Sequence, residues 1–588
     1  MKILLTAVNA KYIHSNLAVY SLKEYAKKQG VSVSLLEFTA NQQPDEILGE
    51  IYREAPDVLA FSVYIWNVSL ISALAGDIHK ILPETEIWLG GPEVSWNSRQ
   101  IMERLPFLRG ILRGEGERSF GSLCRYYSFG QGPRPEEIPG LTVRDGRGNL
   151  LDTGVQEPVD MDELPFPYHD LKGFEHRILY YESSRGCPFF CSYCLSSLDR
   201  HLRTRSLKLV FKELAFFLEH RVRQVKFVDR TFNADSRRAL AVWKFLKEND
   251  NGYTNFHFEI EGDLLGEEEL ELLSELRPGL IQLEIGVQST NPGTLKAVRR
   301  HTDFQKLSRN VSRIRGFHNI HQHLDLIAGL PEEGMESFRR SFCQVYALKP
   351  QQLQLGFLKV LKGTEMEKQA EQSGCLSRTE PPYEVLQTKW LSYGEIRRLK
   401  LVEEMTEIYY NRGQFRKTLE AAEPFFENAF ALYERLGLFC EKRGYLQASQ
   451  NRIRRYEILG EFLDMEAPDL AGLFRECLVY DLYARENLKS RPVWAREQNL
   501  PRMVLRQFYE KAAEEKKLPA SYWGRDWKQL RSMTHLEEFR EEIPGFRKGR
   551  KYLLFLYEQK DPLDGNAAVL DVTDSAAMLQ ESEEKDES

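Results

Sequence analysis

Three cysteines lie within eight residues of one another, in the segment Arg185–Cys194, which reads RGCPFFCSYC. Their spacing is C-x3-C-x2-C, and an aromatic residue, Tyr193, stands immediately before the last cysteine. Three thiolates on one short loop can bind three irons of a cubane cluster and leave the fourth iron without a protein ligand. A catalytic metal site needs an open coordination position of this kind. The segment therefore predicts a [4Fe-4S] cluster held by Cys187, Cys191 and Cys194.

Zinc is the alternative metal for this segment, because the three cysteines and His201 together could form a Cys3His site. Structural zinc usually takes its ligands as two pairs across a longer loop, whereas these cysteines are compressed into one loop. In a reducing compartment a cysteine cluster favours a metal site over a disulfide framework. The other cysteines are scattered singly and are expected to be small buried apolar side chains. They are Cys124, Cys343, Cys375, Cys440 and Cys477.

The region 176–375 alternates strand and helix patterns, and the cysteine segment directly follows its first strand. The six strand candidates are ILYYESS, QVKFVDR, FHFEIE, IQLEIGV, HLDLIAG and LQLGFLKV. Six βα units in series predict a partial (β/α)6 barrel of the TIM type. Active residues of such barrels lie at the carboxyl ends of the strands, which is where the cysteines stand.

Residues 1–130 show the same alternation, with strand candidates KILLTAV, VSVSLLEF, VLAFSVYI, EIWLGG and GILRGEGE. Short β-branched runs separated by helix-length segments predict a doubly wound, Rossmann-like parallel sheet. Such a sheet binds ligands outside the carboxyl ends of its strands. The residues expected there are Ser62, Gly90, Gly91, Gly114, Glu115, Gly116 and Glu117. The glycines would let the backbone approach a bulky ligand, or would simply allow tight turns between strand and helix.

The remaining segments carry no chemistry-bearing motif. Residues 131–175 are rich in proline and are predicted to be a linker. Residues 380–572 are predicted to be mainly helical, since apolar residues recur at helical spacing in segments such as YGEIRRLKLVEEMTEIYYNRG. Near the end of this region, KYLLFLYEQKDPLDGNAAVLDV predicts two strands around an Asp-Gly turn. The acidic tail 573–588 is predicted to be disordered.

The composition excludes several functional classes. The chain of 588 residues has 42% apolar residues, 28% charged residues and a formal net charge of −7. A net acidic chain is a poor candidate for bulk nucleic-acid binding. The sequence contains no apolar stretch of about 18 residues that could cross a membrane, and its N-terminal apolar run is too short for a signal peptide. These features predict a cytoplasmic protein with neither a membrane nor a nucleic acid as its partner.

The cysteine spacing and four strand-end segments resemble those of the radical SAM superfamily. The segments are Phe227–Asn233, Phe258–Asp263, Glu284–Ser289 and Asp325–Pro331. The resemblance implies that S-adenosylmethionine (SAM) chelates the open iron and is cleaved to a 5′-deoxyadenosyl radical. It also implies that Tyr193 lies near the adenine, and that Glu259, Gln288 and Ser289 lie near the ribose or the methionyl part of SAM. Glu261 departs from the family pattern, which has a basic residue at that position.

The N-terminal region resembles the cobalamin-binding domain that precedes many radical SAM domains, through Ser62, Gly90–Glu93 and Gly114–Glu117. The resemblance implies a cobalamin cofactor. Cobalamin proteins that supply a histidine to cobalt carry D-x-H-x-x-G after the first strand, but here the loop reads NAKYIHSN. Cobalamin is therefore expected to be bound without a protein histidine ligand, with Trp66 either covering its lower face or packing as an ordinary side chain. A domain that has lost cobalamin is the alternative.

The resemblance implies an enzyme that methylates an unactivated carbon of an organic substrate. Cyclisation or rearrangement with the same cofactors is the alternative reaction, and a cobalamin or redox sensor is the non-enzymatic alternative. Methylthiolation of tRNA would require a second cluster, which the dispersed remaining cysteines do not provide. The expected partners are an unknown organic substrate and an electron donor such as flavodoxin or ferredoxin. The C-terminal helical region resembles a domain of unknown function and supplies no activity.

Overall fold

The computed structural model describes residues 1–498 and 500–575. These residues form two compact units. The first unit comprises Met1–Ile320, Ile327–Gly334 and Phe357–Tyr393, and the second comprises His321–Leu326, Met335–Gly356 and the chain from Gly394 onward. Every residue that the sequence predicts to bind a cofactor or a metal belongs to the first unit.

A seven-stranded sheet forms the N-terminal part of the first unit. Its strands are β1 (Ile3–Asn9), β2 (Ser34–Thr39), β3 (Val58–Ser62), β4 (Glu86–Gly90), β5 (Gly110–Leu112), β6 (Leu141–Arg144) and β7 (Leu150–Asp152). They lie in the order β2-β1-β3-β4-β5-β6-β7, and β1 to β5 are parallel. The helices are α1 (Leu17–Lys28), α2 (Pro44–Glu54), α3 (Val68–Ile81), α4 (Pro92–Ser95), α5 (Ser98–Arg104) and α6 (Glu117–Phe129). The predicted doubly wound sheet is confirmed.

This sheet is covered on both faces, which explains why its central strands are continuously apolar. Every residue of β1 and of β3 is buried. Leu4 of β1 packs in one core with Ile47 of α2, whereas Leu5 packs in a second core with Phe120 of α6. Successive side chains of a strand therefore point into opposite cores, as the twofold period of a strand requires.

The segment 131–175, which the sequence predicts to be a linker, contributes two strands to this sheet. β6 pairs antiparallel with β5, and β7 pairs antiparallel with β6. Leu141 and Val143 of β6 are fully buried in the same core as Leu5. The proline-rich sequence conceals these strands, because each is only three or four residues long and lies between turn-forming residues.

The second part of the first unit carries the cysteine segment. Its strands are β8 (Leu179–Tyr181), β9 (Ser184–Arg185), β10 (Arg203–Thr204), β11 (Gln224–Phe227), β12 (Asn255–Ile260) and β13 (Ile281–Gln288). β8, β11, β12 and β13 pair in parallel in that order, so their carboxyl ends meet at one edge of the sheet. The helices are α7 (Leu207–Glu219), α8 (Ser236–Glu248), α9 (Glu267–Ser274), α10 (Pro292–Ala297) and α11 (Phe304–Phe317). Along β13 buried apolar residues alternate with half-buried ones, as in a strand with one face against helices.

The last two strands predicted for this region form β14 (His321–Ala328) and β15 (Gln352–Phe357), with α12 (Met335–Ala347) between them in the chain. They are followed by α13 (Glu365–Gln369), β16 (Leu376–Ser377) and β17 (Val385–Gln387). Each of the six predicted strand segments thus forms a strand, and the α/β fold class is confirmed.

The chain beyond Gly394 is mainly helical, as predicted. Its helices are α14 (Tyr393–Met405), α15 (Arg416–Ala422), α16 (Ala429–Arg443), α17 (Arg452–Glu466), α18 (Ala471–Arg485), α19 (Arg502–Glu514) and α20 (Trp527–Met533). The strands are β18 (Thr534–Phe539), β19 (Lys551–Lys560) and β20 (Ala567–Asp571). The apolar positions that predict α14, namely Ile396, Leu399, Val402 and Met405, are buried.

The predicted strand pair near the C-terminus forms β19 and β20, which pair antiparallel. β18 adds a third strand that the sequence did not reveal, because its two central glutamates hide its apolar face. Residues 573–575 are helical, and the rest of the predicted tail lies outside the described residues. Within the described chain, no helix has the length and apolar character needed to span a bilayer.

Candidate active site

The cysteine loop begins and ends at two short strands that pair with each other. β9 precedes the loop, β10 follows it, and the two pair antiparallel. Gly186 has a φ of +88°, and a Cβ at this position would collide with the carbonyl oxygen of His201. The Cys187 N–H donates to the carbonyl of Asp199 over 2.9 Å. The base of the loop is therefore closed, and only glycine fits beside the first cysteine.

Two of the three cysteine thiols are buried, and each has a polar neighbour. Cys187 Sγ lies 3.8 Å from the Thr231 hydroxyl, and Arg300 Nη1 donates to Cys191 Sγ over 3.8 Å. Burial raises the pKa of both thiols, and the nearby Cys194 raises it further, whereas Arg300 lowers the pKa of Cys191. Metal binding must therefore displace protons from two buried thiols.

The geometry of these thiols argues against the zinc alternative. No three ligand atoms from Cys187, Cys191, Cys194 and His201 lie within 4.8 Å of one another. Zinc–sulfur bonds of about 2.3 Å would place two sulfurs of a tetrahedral site about 3.8 Å apart. His201 is also exposed, as zinc ligands usually are not. The three cysteines fit a larger cluster better than a single ion.

The residues predicted to contact SAM stand at or beside the same edge of the sheet. The Tyr193 hydroxyl interacts with the Cys191 thiol, and burial together with this neighbour raises the pKa of Tyr193 well above its usual value. Glu259 in β12 lies 3.6 Å from Lys226 Nζ. Gln288 ends β13 with a φ of +67°, and within the described residues its buried Oε1 accepts no hydrogen bond. Ser289 donates to Glu333 over 2.8 Å. Gln288 therefore offers an acceptor to a ligand, whereas Ser289 is engaged within the protein.

Asp229, in the predicted segment after β11, holds the chain that leads into the cysteine loop. The carboxylate is buried and accepts hydrogen bonds from the Ser183 N–H, the Ser183 hydroxyl and the Ser184 hydroxyl. Burial raises the pKa of Asp229, and these donors oppose the rise. The segment carries the family resemblance, but only the structure shows that Asp229 supports β9 rather than facing a ligand.

Glu261, which stands where the family pattern has a basic residue, is paired with the buried Arg300. Both carboxylate oxygens of Glu261 accept from Arg300 Nη2, over 2.7 and 2.6 Å, and Arg300 also donates to the carbonyl of Gly286. Burial raises the pKa of Glu261 and the guanidinium opposes that rise. No motif marks Arg300, which lies in the segment LKAVRRHTD, so sequence reasoning missed it.

A cavity of about 540 Å³ lies at the carboxyl ends of β1, β3, β4 and β5. Six of the seven residues predicted there line it: Ser62, Gly90, Gly91, Gly114, Gly116 and Glu117. The opposite wall comes from the second part of the first unit and includes Tyr180, Glu182 and Arg185, directly before the cysteine loop. The cavity thus lies between the N-terminal sheet and the strand that leads into the candidate cluster site.

The backbone requires glycine at some positions of this cavity but not at others. Gly91 has a φ of +119°, and a Cβ there would collide with the Val63 carbonyl, so the backbone alone requires it. A Cβ at Gly90 would lie at an ordinary 3.5 Å from Leu112. A Cβ at Gly114 would meet open space, but its φ of +69° favours glycine. The tight-turn interpretation therefore suffices for Gly91, while Gly90 has no backbone reason to lack a side chain.

Glu115 and Glu117, predicted as cofactor-binding residues, pair with arginines of β9 and β10, the two strands that flank the cysteine loop. Glu117 accepts from Arg185 over 2.5 Å, and Glu115 lies 3.3 Å from Arg185 and pairs with Arg203. Burial opposes the ionisation of Glu115, but Arg203 and Arg185 hold its pKa below the usual value. Glu115 does not line the cavity. These carboxylates join the N-terminal sheet to β9 and β10, on either side of the cysteines.

The loop after β1 brings His14 to the cavity wall. His14 Nδ1 lies 2.7 Å from the Tyr180 hydroxyl, and burial and the charges of Lys11 and Lys226 lower the pKa of His14. Trp66, also at the wall, stacks on Tyr64 at 4.4 Å between ring centroids and donates to the Val8 carbonyl. A wall of small residues with a flat aromatic surface fits a large planar ligand such as cobalamin.

Three family models match the chain. The B12 binding domain matches residues 3–123, the radical SAM superfamily matches 181–342, and a protein family of unknown function, DUF4080, matches 371–555. The radical SAM domain implies a [4Fe-4S] cluster and SAM, and the B12 binding domain implies cobalamin. The cysteine loop and the cavity fall within the matched radical SAM and B12 regions.

Curated relatives share part of the chain. A 2-(S-pantetheinyl)-carbapenam-3-carboxylate methyltransferase of Streptantibioticus cattleyicolor is 26% identical over 48% of this chain and 44% of its own length. The cobalamin-dependent radical SAM methyltransferase TokK of Streptomyces tokunonensis is 25% identical over 54% of this chain and 49% of its own length. The chain thus spans about half the length of the curated relatives it matches.

A solved structure shows the same fold over most of the chain. The cobalamin-dependent S-adenosylmethionine radical enzyme OxsB, with aqua-cobalamin and S-adenosylmethionine bound, superposes with a TM-score of 0.57 at 16% identity. The match covers 82% of this chain and 79% of that chain. At this identity the likeness shows the fold alone.

Proposed function

We propose that this chain, which combines a B12 binding domain, a radical SAM domain and a DUF4080 region, is a cobalamin-dependent radical SAM enzyme that methylates an unactivated carbon. The observation that carries the proposal is the position of the N-terminal cavity. Its far wall includes Tyr180 of β8, Glu182 and Arg185 of β9, and β9 leads directly into the cysteine loop. A cavity suited to cobalamin and a loop suited to an iron–sulfur cluster therefore share one strand.

The residues proposed to hold the cofactors belong to these two places. Cys187, Cys191 and Cys194 would hold the cluster. Tyr193, Glu259, Gln288 and Ser289 would contact SAM, and Ser62 and the glycines of the cavity would contact cobalamin. When bound, the cluster and SAM supply a 5′-deoxyadenosyl radical and cobalamin supplies a methyl group. The names of the curated methyltransferases support methyl transfer as the reaction.

The chain's own contribution is to position and seal these sites. The pairing of β9 with β10 and the contact of Gly186 with His201 fix the base of the cysteine loop. The pairs of Glu115 and Glu117 with Arg185 and Arg203 fix the cavity beside that loop. Because these side chains are mostly buried, they limit the access of water to this junction.

The domain boundaries follow from this assignment. We propose a cobalamin-binding domain at 1–130, joined by 131–175 to a radical SAM domain at 176–375 and a mainly helical domain at 380–572. The strands β6 and β7 show that the joining segment also completes the N-terminal sheet. An electron donor such as flavodoxin or ferredoxin is proposed to reduce the cluster. The need for reduced cysteines supports the predicted cytoplasmic location.

The proposal is tested by the fate of SAM in the reduced protein. Anaerobically reconstituted full chain, supplied with cobalamin, SAM carrying a labelled methyl group and a strong reductant, should release 5′-deoxyadenosine and label the cobalamin. A sensor would retain both cofactors without turnover and would produce neither. Release of 5′-deoxyadenosine without cobalamin binding would contradict the methyltransferase and indicate a radical SAM enzyme that does not use cobalamin.

A further inference from the structure

Arg300 is a buried arginine that touches a cluster cysteine. It lies just after α10, where the Ser192 N–H donates to the Val298 carbonyl over 3.0 Å and so holds this segment against the cysteine loop. The Arg300 N–H donates back to the Leu295 carbonyl over 2.9 Å, and Arg300 is buried. The guanidinium reaches Cys191 Sγ from a residue 109 positions away in the chain.

The charge around the three cysteines is therefore uneven. Cys191 has the guanidinium of Arg300 at 3.8 Å and also interacts with the Tyr193 hydroxyl. Cys187 has a neutral hydroxyl, that of Thr231, at the same distance. Arg300 is in turn held by the buried carboxylate of Glu261, whose two oxygens lie 2.7 and 2.6 Å from Nη2. One cysteine thus faces a positive charge whose field is limited by the carboxylate of Glu261 behind it.

Reduction of an iron–sulfur cluster adds one electron to a site that is already negatively charged through its thiolates. Hydrogen bonds to the sulfurs and nearby net charge are the main protein features that set its potential. A buried cation stabilises the reduced form more than the oxidised form, because the interaction is weakly screened away from water. A buried anion has the opposite effect.

We propose that Arg300 and Glu261 together set the reduction potential of the cluster. Arg300 raises it by donating to the Cys191 thiolate, and Glu261 both fixes the guanidinium and limits the rise. The inference rests on the proposed cluster at Cys187, Cys191 and Cys194. It also gives a role to the acidic residue at the end of β12, where the family pattern has a basic one. Arg300 acts on the cluster through its ligand and is not a catalytic residue.

The two members of the pair should move the potential in opposite directions. We expect Arg300→Gln to lower the midpoint potential and Glu261→Gln to raise it, each by a tenfold or larger change in the one-electron reduction equilibrium, or about 59 mV per tenfold. Arg300→Lys keeps the charge but loses the planar fork, so its potential should fall between those of the wild type and Arg300→Gln. If the pair had a purely structural role, the midpoint potentials of the two Gln variants would not shift in opposite directions.

The measurement is an EPR-monitored redox titration of the reconstituted full chain at a fixed alkaline pH, with iron content determined for each variant. Arg299→Gln is the matched control, because Arg299 is the exposed neighbour, with half of its side chain in solvent and its closest acid, Glu365, 3.7 Å away. Its potential should equal that of the wild type. If Arg300→Gln fails to retain iron, Arg300→Lys and Glu261→Gln still decide the matter.

Unchanged potentials in Arg300→Gln and Glu261→Gln, or shifts of the same sign, would overturn the inference. Failure of the proposed function would look different, because the wild-type chain would then assemble no iron–sulfur cluster whose potential could be measured. A wild type with four irons and unaltered variants would leave the enzyme proposal intact and remove only the role of Arg300 and Glu261.

Discussion

The cysteine loop and the N-terminal cavity lie at the ends of parallel strands in the same unit but are built differently. The loop presents three thiols, two of them buried, with the charge of Arg300 against one of them. From the N-terminal part, the cavity is lined mainly by Ser62, glycines and an aromatic pair, and the acidic residue Glu117 at the start of α6 is paired with Arg185. A small metal cluster requires particular donor atoms, whereas a large planar cofactor requires room.

This difference decides what each region tolerates. Loss of a donor atom removes a metal ligand outright, whereas loss of one small residue from a broad wall removes only a part of the contact surface. The largest effects of substitution are therefore expected at the loop and the smaller ones at the cavity. The two regions meet at Arg185, which pairs with Glu117 of the N-terminal part and directly precedes Gly186 and Cys187.

The largest effect is expected from replacing Cys187, Cys191 and Cys194 together with Ala. The variant should contain no iron and should produce no 5′-deoxyadenosine, because the cluster has no other ligands on the loop. Iron analysis and chromatography of the products measure both quantities. Cys124→Ala is the matched control, since Cys124 is buried in the core of the N-terminal sheet, and it should retain about four irons per cluster. Stoichiometric zinc without iron in the wild type would contradict the assignment.

The next largest effect is expected at the junction of the two regions. Arg185→Met leaves the buried Glu117 and the partly buried Glu182 without their partner, and breaking a buried pair such as Arg185–Glu117 costs about 3–5 kcal/mol. We expect a lower melting temperature together with reduced retention of both iron and cobalamin, measured by calorimetry and by gel filtration. A melting temperature is the suitable quantity because a chain of several domains does not unfold in two states.

The control for this prediction is Arg118→Met in the neighbouring helix. Arg118 pairs with Glu163 over 3.2 Å, and both side chains are about a third to a half exposed. Exposed pairs of this kind contribute about 0–1 kcal/mol, so this variant should behave like the wild type. Equal losses of melting temperature in the two variants would show that Arg185 has no special role at the junction.

The same contrast explains what the sequence could predict. The cysteine segment could be proposed as a metal site because metal ligands of one residue type stand there at short spacing. The strands could be predicted because the sequences of β12 and β13 alternate clearly between polar and apolar residues. Arg300 was not readable, since its contacts with Glu261 and Cys191 span 39 and 109 residues. The linker prediction missed β6 and β7, whose pairing depends on the edge of a sheet formed earlier in the chain.

A smaller effect is expected at the cavity wall. The backbone at Gly90 accommodates a side chain, but in Gly90→Leu that side chain would occupy part of the cavity proposed for cobalamin. The affinity for cobalamin should therefore fall about tenfold, equivalent to about 1.4 kcal/mol. Equilibrium dialysis measures the affinity, and the iron content should stay unchanged. Gly49→Leu is the control, because a Cβ on Gly49 in α2 meets open space outside the cavity. A loss of iron in Gly90→Leu would show that the two regions do not bind their cofactors independently.

The smallest effect is expected from replacing His14, which should leave the coordination of cobalt unchanged. His14 lines the cavity in the loop after β1, and its lowered pKa leaves the imidazole neutral and chemically able to bind a metal. Its Nδ1, however, is held by the hydroxyl of Tyr180, whereas metal-binding histidines usually have a carboxylate, a backbone carbonyl or water as that partner. The EPR spectrum of the Co(II) form should therefore lack nitrogen superhyperfine splitting, and His14→Ala should give the same spectrum. A nitrogen splitting that disappears in His14→Ala would identify His14 as the cobalt ligand. The cavity would then, like the cysteine loop, depend on a particular donor atom and not on its space alone.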